Sequence, residues 1–551
     1  MRLDRRQALA LLGAAAAPGA ACAAPPAVTF SHGVASGDPL SDRVMLWTRI
    51  TPAGEEAVKG DWQVAADAGF GKIVRKGSFT TDAGRDWTVK VDATDLKPGQ
   101  AYWYRFRVGG VASPIGRART LPAGPTKDVV LAVASCSLWQ GGHFNAYQAI
   151  ADLKRVDAVL HLGDYIYEYG KDGYGAEQGQ KLNRFVDPPH EILTLADYRR
   201  RHAQAKSDPK LQAAHARAPW IVVWDDHESA NDTWQGGAEN HQPDKEGDWA
   251  TRKAAAIRAY FEWMPIREPA PGKMSDSIWR GFQFGDLVSL LMVETRISAR
   301  SRQLTYAADL PGLGDKPDVA AFKARLTDPA RRLMSPDQEA WLTGELKSSV
   351  AGGKAWQVIG NQVVMARATA PDLVKTMGRD AFEALLAKQA GNAKKRLARV
   401  SDLAALGLPY NLDSWDGYPA DRERVYAAFT AAKARPIVLS GDSHAFWANQ
   451  LADASGRRVA AEFGATGITS PGFSDAVPDA PIGQAFADAS EEVVFNDSGA
   501  KGFVLLTLTR EQARADMVAV STIMEPAFET RTLASFTVAA EAGGVGPVVK
   551  V

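Results

Sequence analysis

The chain has little cysteine: Cys22 and Cys136 are the only two in 551 residues. If a leader carrying Cys22 is removed, one thiol remains, and no internal disulfide can hold the mature protein together. Nor is there an excess of either charge, since Lys plus Arg and Asp plus Glu each number 64. That balance excludes a polyanion-binding surface spread over the whole molecule, and no specific nucleic-acid partner is expected. There is no internal repeat. Beyond the first two dozen residues no apolar run is long enough to span a membrane, so the mature chain is expected to carry no transmembrane anchor. Gly352-Gly353 lacks the spacing of a phosphate-cradling loop, which disfavours P-loop nucleotide binding.

What is present begins with a targeting signal over residues 1–24. Arg2, Arg5 and Arg6 precede the apolar run from Ala8 to Ala17, and Ala21-Cys22-Ala23 offers small residues at a cleavage point. Paired arginines followed by Leu9 and Leu11 look like a twin-arginine signal. The expected partner is therefore the Tat export machinery, and the expected location periplasmic or secreted. Lipid attachment at Cys22 is the alternative, although Gly19-Ala20-Ala21 lacks the usual leucine.

The length exceeds one ordinary core, so more than one domain is expected. Val44 to Ile50, Trp62 to Ala65 and Trp87 to Val91 are strand-length runs. Tyr102, Tyr104, Phe106 and Val108 alternate with Trp103, Arg105 and Arg107, the period of a half-buried strand. These predict a small N-terminal β-sandwich over 27–122, closed by a linker at Leu121 to Pro125. From 126 to 551 apolar strands alternate with helical spacing, as at Ala146 to Val156 and Asp248 to Met264, which predicts an α/β catalytic domain. Ser335-Pro336-Asp337-Gln338 reads as a capping box with proline at the first helical position.

One pattern recurs in this second region. Val129 to Ala134 runs into Ser135-Cys136, and Ala158 to Leu162 into Gly163-Asp164-Tyr165-Ile166-Tyr167. Trp220 to Trp224 runs into Asp225-Asp226-His227-Glu228, with Asn231 just beyond. Trp356 to Ile359 leads to Gly360-Asn361, and Pro436 to Leu439 to Ser440-Gly441-Asp442-Ser443-His444. Strand ends in α/β sheets open onto a common crevice, so these groups are expected to converge there. Unpartnered polar groups would be costly to bury, which points to metal ligands rather than turn residues alone. A thiolate with a phenolate suits a Lewis-acidic transition metal such as ferric iron, whereas carboxylate and amide oxygens suit calcium, magnesium or manganese.

With Gly33-Val34-Ala35-Ser36-Gly37-Asp38-Pro39 and Leu46-Trp47-Thr48-Arg49, these motifs resemble the alkaline phosphatase D family of metallophosphoesterases from about residue 28 to the C-terminus. The resemblance implies a four-layer αββα metallophosphoesterase core preceded by the β-rich domain. It further implies Fe3+ with Ca2+ and hydrolysis of small phosphate monoesters and diesters by metal-activated water. Carried over, Cys136, Asp164 and Tyr167 hold the iron, with Asp164 shared with a neighbouring ion. Asn231, Asp442 and His444 complete the metal set, and Asp226 and His227 are the catalytic candidates beside it. Glu294 stands where an aspartate is expected, and His143 adds a titratable group near the cysteine.

Other histidines read as structural. His161 is expected in the core, whereas His202 and His215, in helices with Arg199, Arg200, Arg201 and Arg217, are expected on solvated faces. The Lys394-Lys395-Arg396 run is likewise expected to be solvated rather than functional. Two further functions fit the sequence less well: a phospholipase D-type activity, which calls for an apolar rim or lid, and a non-catalytic surface-ligand binder, which calls for a damaged ligand set.

Overall fold

The computed structural model describes residues 28–269 and 274–551, so the expected leader lies outside the described residues. Two large sheets form the centre. In the 11-stranded sheet, Asp128–Ala134, Ala158–His161 and Trp220–Val222 are parallel neighbours. On one side they are extended by the antiparallel run Lys501–Thr509, Gln512–Val520 and Thr530–Glu541. In the 7-stranded sheet, Val288–Met292, Trp356–Gly360, Pro436–Ser440 and Arg458–Gly464 run parallel.

Successive side chains of these strands face opposite ways, and both faces are buried. Leu290, Val358 and Ile437 enter the core shared by the two sheets, together with Leu131, Leu160 and Ile221. Their neighbours Leu291, Ile359 and Val438 face the other way, against Leu342, Leu346, Val425 and Phe429 of the helices Pro336–Ala351 and Pro419–Ala432. Helices Asn145–Ala151, Leu195–Ser207, Pro209–Arg217 and Trp249–Trp263 cover the outside of the first sheet. The layers are therefore helix, sheet, sheet, helix, as the resemblance implied.

The N-terminal β-rich region is not sealed off from this core. Val34–Gly37 pairs with the strand Trp220–Val222, and Val44–Arg49 and Thr88–Ala93 follow it, so the core sheet continues into the first hundred residues. The 5-stranded sheet that includes Val58–Ala65, Ile73–Thr81 and Ala101–Val108 packs over that extension through Val64, Tyr104 and Phe106 against Val34, Val44 and Leu46. One sheet of the sandwich thus belongs to the core sheet as well. Trp47 stitches the junction, donating to the Glu262 carbonyl at 2.9 Å beside Trp263.

Two local expectations are corrected. His202 and His215 are buried, not solvated: their helices turn the imidazoles onto the sheet, and Arg201 beside His202 is buried as well, while Arg200 faces outward. His202 stacks on Trp263 and Tyr165, and His215 lies 3.9 Å from Trp220 and bonds Tyr165 Oη at 2.9 Å. Burial pushes His202 down to about 3, so the ring is neutral. Only half of the capping box forms: Ser335 accepts from the Gln338 amide, but the Gln338 side chain bonds both backbone groups of Glu294 instead. His161 is a core residue, bonded to Tyr147 Oη at 2.8 Å.

Candidate metal centre

The strand ends converge as the topology requires. Among the described residues, three overlapping sets bring ligand atoms within 4.8 Å of one another: Cys136, Asp164 and His444; Asp164, Asp226 and His227; and Asp225, Asp226 and Asp442. Tyr167 joins the first set, donating to Asp164 Oδ2 at 2.9 Å and lying 3.3 Å from His444 Nε2. Asn231 lines the cavity above, about 670 Å³ in volume, with Asp164, Asp226, His227, Asp442 and His444. All eight expected site residues therefore lie at one place.

The backbone is specialised to hold them. Cys136, Asp164, Asp442 and His444 all have positive φ, between 55° and 62°, a conformation that non-glycine residues rarely adopt. Such strain costs on the order of 1–3 kcal/mol per residue and gathers at functional sites. Gly163 has φ 108°, and a Cβ there would lie 2.3 Å from that of Asp225, so only glycine lets these two strand ends approach. Glu228 staples them together, its carboxylate accepting from the amides of Asp164, Tyr165 and Asp225 at 3.0, 2.5 and 2.7 Å.

The electrostatics set the groups apart. Burial, reinforced by Asp164, pushes the Cys136 thiol up. Burial also pushes Asp164 well up, with Asp225 and Asp226 adding to it against His227, and raises Asp442 to about 7. Asp226 is opposite: burial opposes ionisation, but Arg296, His227 and the Asp232 amide outweigh it and hold the carboxyl at about 2. His227 donates from Nδ1 to Glu168 at 2.7 Å; Asp226, Glu168 and Asp164 overcome its burial and keep it well above the usual imidazole range. His444 is held at about 3, chiefly by burial. Its Nδ1 lies 2.8 Å from the Pro471 carbonyl, so the proton sits there and Nε2 carries a lone pair toward Tyr167.

The donor set fits metal ions. Among the described residues, Asp164 Oδ1, Asp225 Oδ2 and Asp226 Oδ1 are buried without a hydrogen-bond partner, a rare condition for carboxylate oxygens and one that a cation relieves. A thiol, a phenol and an imidazole surround one end of the group and carboxylates the other, which matches a softer and a harder cation side by side.

Several residues at the site have no role assigned from the sequence, although Glu294 stands out there as a departure from aspartate. Arg296, fully buried, bonds Asp225, Asp413 at 2.6 Å and Asp442 at 3.0 Å. Glu294 makes that possible: its carboxylate accepts from the amides of Arg296 and Ile297 at 2.7 and 2.8 Å and from Trp224, shaping the turn that aims the guanidinium. Glu168 also takes the Asn231 amide and the Asn240 side chain, both at 2.8 Å. Tyr174, from the loop after Tyr167, reaches His444 at 3.2 Å. His143 does not line the cavity, and its amide is tied to Ile523. Asn361 is spent on the Val363 carbonyl and Trp415. The segment beyond Glu525 extends the first sheet through Thr530–Glu541 and leaves the cavity open.

A four-layer αββα core with such a cluster at its strand ends defines a hydrolase of phosphoric esters. Residues 131–517 match the model of the PhoD-like phosphatases, and residues 14–122 that of their N-terminal domain. The chain belongs to the PhoD-like phosphatase family. It is 36% identical over 525 residues to alkaline phosphatase D of Bacillus subtilis (strain 168), covering 92% of this chain and 80% of that protein. A solved structure of PhoD superposes with a TM-score of 0.76 at 34% identity, covering 95% of this chain and 92% of that one.

Proposed function

We propose that this phosphoesterase is exported, depends on metal ions and hydrolyses small phosphate monoesters and diesters for phosphate release. The observation that carries the metal dependence is the convergence of Cys136, Asp164 and His444 with Asp226, His227 and Asp442 around orphaned carboxylate oxygens. Cys136, Asp164 and Tyr167 would hold Fe3+, with His444 beside them; Asp164, Asn231 and Asp442 would hold Ca2+. Ions there would polarise the phosphoryl oxygens and lower the pKa of the attacking water. Export rests on the paired Arg5-Arg6 leader.

The chain's own residues supply the rest. Arg296 binds Asp225, Asp413 and Asp442 into one array, so the floor is organised before an ester arrives. Glu168 fixes the His227 ring and keeps a proton on Nε2, which serves as donor to a phosphoryl or leaving oxygen. The cavity admits a small ester with its alcohol portion, and Phe473, Phe486 and Trp447 give that portion an apolar surface.

The test is elemental analysis and visible absorption of the natively exported protein, followed by turnover of p-nitrophenyl phosphate and its bis-ester. Iron with calcium, a broad visible band and loss of turnover in Asp164→Ala are expected. A colourless protein containing only zinc, or full activity in Asp164→Ala, overturns the mechanism.

A further inference from the structure

The cavity has a second wall that hydrolysis does not use. The helix Gly391–Ala405 is anchored by buried Leu397, Val400 and Leu403 and turns Asn392, Lys395, Arg396 and Arg399 toward the cavity that Asp164, Asp226 and Asp442 line. Residues three and four apart share a helix face, so Lys395 and Arg399 stand one above the other. The expectation that this basic run is merely solvated is therefore incomplete: it is exposed, but on the lip of the site.

Among the described residues, none of these three cations has a carboxylate partner. Arg396 lies over Phe473 at 4.5 Å and donates to Tyr410 Oη at 2.8 Å, and Arg399 lies over Tyr306 at 5.3 Å. Ring contacts orient a guanidinium without cancelling its charge. The opposite floor keeps its cations strictly paired, Arg296 and Arg300 both to Asp413. Unpaired like charges on one lip repel one another, a cost that a bound anion removes.

We propose that this helix face is a second-anion subsite, taking a phosphate-class group on the alcohol portion of the substrate while the scissile phosphoryl group sits at the strand ends. The proposal deepens the phosphoesterase reading and rests on it. Phe473, Phe486 and Trp447 line the same cavity, so the favoured ester carries its second anion at the end of a short uncharged spacer.

Calorimetry of the metal-loaded mature protein with alkane-α,ω-bisphosphonates of graded length, against matched alkylmonophosphonates, tests this. At the spacer that spans the cavity the bisphosphonate is expected to bind about tenfold tighter, an advantage that shrinks as salt rises. The double variant Lys395→Ala with Arg399→Ala is expected to bring the ratio down to the factor of about two given by two equivalent ends. Lys395→Gln with Arg399→Gln, milder changes to the same exposed helix, should do the same, whereas Arg399→Lys retains part of the advantage. Equal affinity at every spacer length, or an advantage that survives both double variants, overturns the subsite. Absence of p-nitrophenyl phosphate turnover overturns only the phosphoesterase reading, because the binding ratio needs no turnover.

Discussion

The two walls of the cavity place charge in opposite ways. On the strand-end floor Asp164, Asp225, Asp226, His227 and Arg296 are buried and Asp442 is half-buried, the backbone takes unusual conformations, and Arg296 is surrounded by Asp225, Asp226, Asp413 and Asp442. On the helix lip Lys395, Arg396 and Arg399 are exposed and, among the described residues, have no acidic partners. Burial makes the floor intolerant of change, because removing one member leaves the others desolvated and uncompensated. Exposure makes the lip energetically cheap and free to serve recognition. Rate and stability should therefore follow the floor, and ligand preference the lip.

The largest separation is expected in rate. His227→Gln removes the proton held at Nε2 and should lower kcat about 10²–10⁴-fold for a substrate with a poor leaving group. Glu168→Gln should cost less and carry a distinct signature. Glu168 helps to raise the His227 pKa, so its loss lowers that value, and the alkaline limb of the kcat profile should move to lower pH. An unmoved limb would show that His227 does not supply the proton.

Stability should separate the walls next. Arg296→Met in metal-free protein should cost about 3–5 kcal/mol by urea unfolding, since several carboxylates lose one buried cation. Lys395→Ala, at an exposed position, should stay within about 0.5 kcal/mol. Similar values for the two would erase the distinction.

A smaller effect tests the floor through pH. Asp164 and Asp442 are raised in the folded state, the latter to about 7, and His227 is raised as well. At these three groups the folded metal-free protein binds more protons than the unfolded chain between about pH 4 and 7, so their contribution to stability falls as pH rises through that window. Metal binding must displace those protons, so affinity should rise with pH, by about tenfold per unit for each proton released. Thermal melts of stripped and loaded protein should slope in opposite directions between pH 5 and 8; parallel slopes would show that ions do not bind at these carboxylates.

Much of this was legible in the chain, and the reason is local. A run such as Ala158 to Leu162 followed by Gly163-Asp164 announces both a buried strand and a polar group at its end, and topology does the rest. The errors arose where a residue's surroundings come from elsewhere in the chain. His202 and His215 have arginine-rich neighbours in sequence, but the face of each helix that meets the sheet is fixed by packing. Glu294 looked like a departure from the family pattern, yet its longer arm is what receives the amides of Arg296 and Ile297. The Lys394-Lys395-Arg396 run was visible as charge but not as a cavity wall.

The sequence by itself determined the layered α/β class, the strand ends that carry Cys136, Asp164, Asp226, His227, Asp442 and His444, and the chemistry those groups can offer, because side-chain type and strand periodicity are properties of short segments. Only the tertiary structure decided that Arg296 joins Asp225 to Asp413 and Asp442, that Glu168 bonds the His227 ring, and that a basic helix faces an acidic floor. Those relations bring together residues scores of positions apart, and their distances are set by how sheets and helices pack.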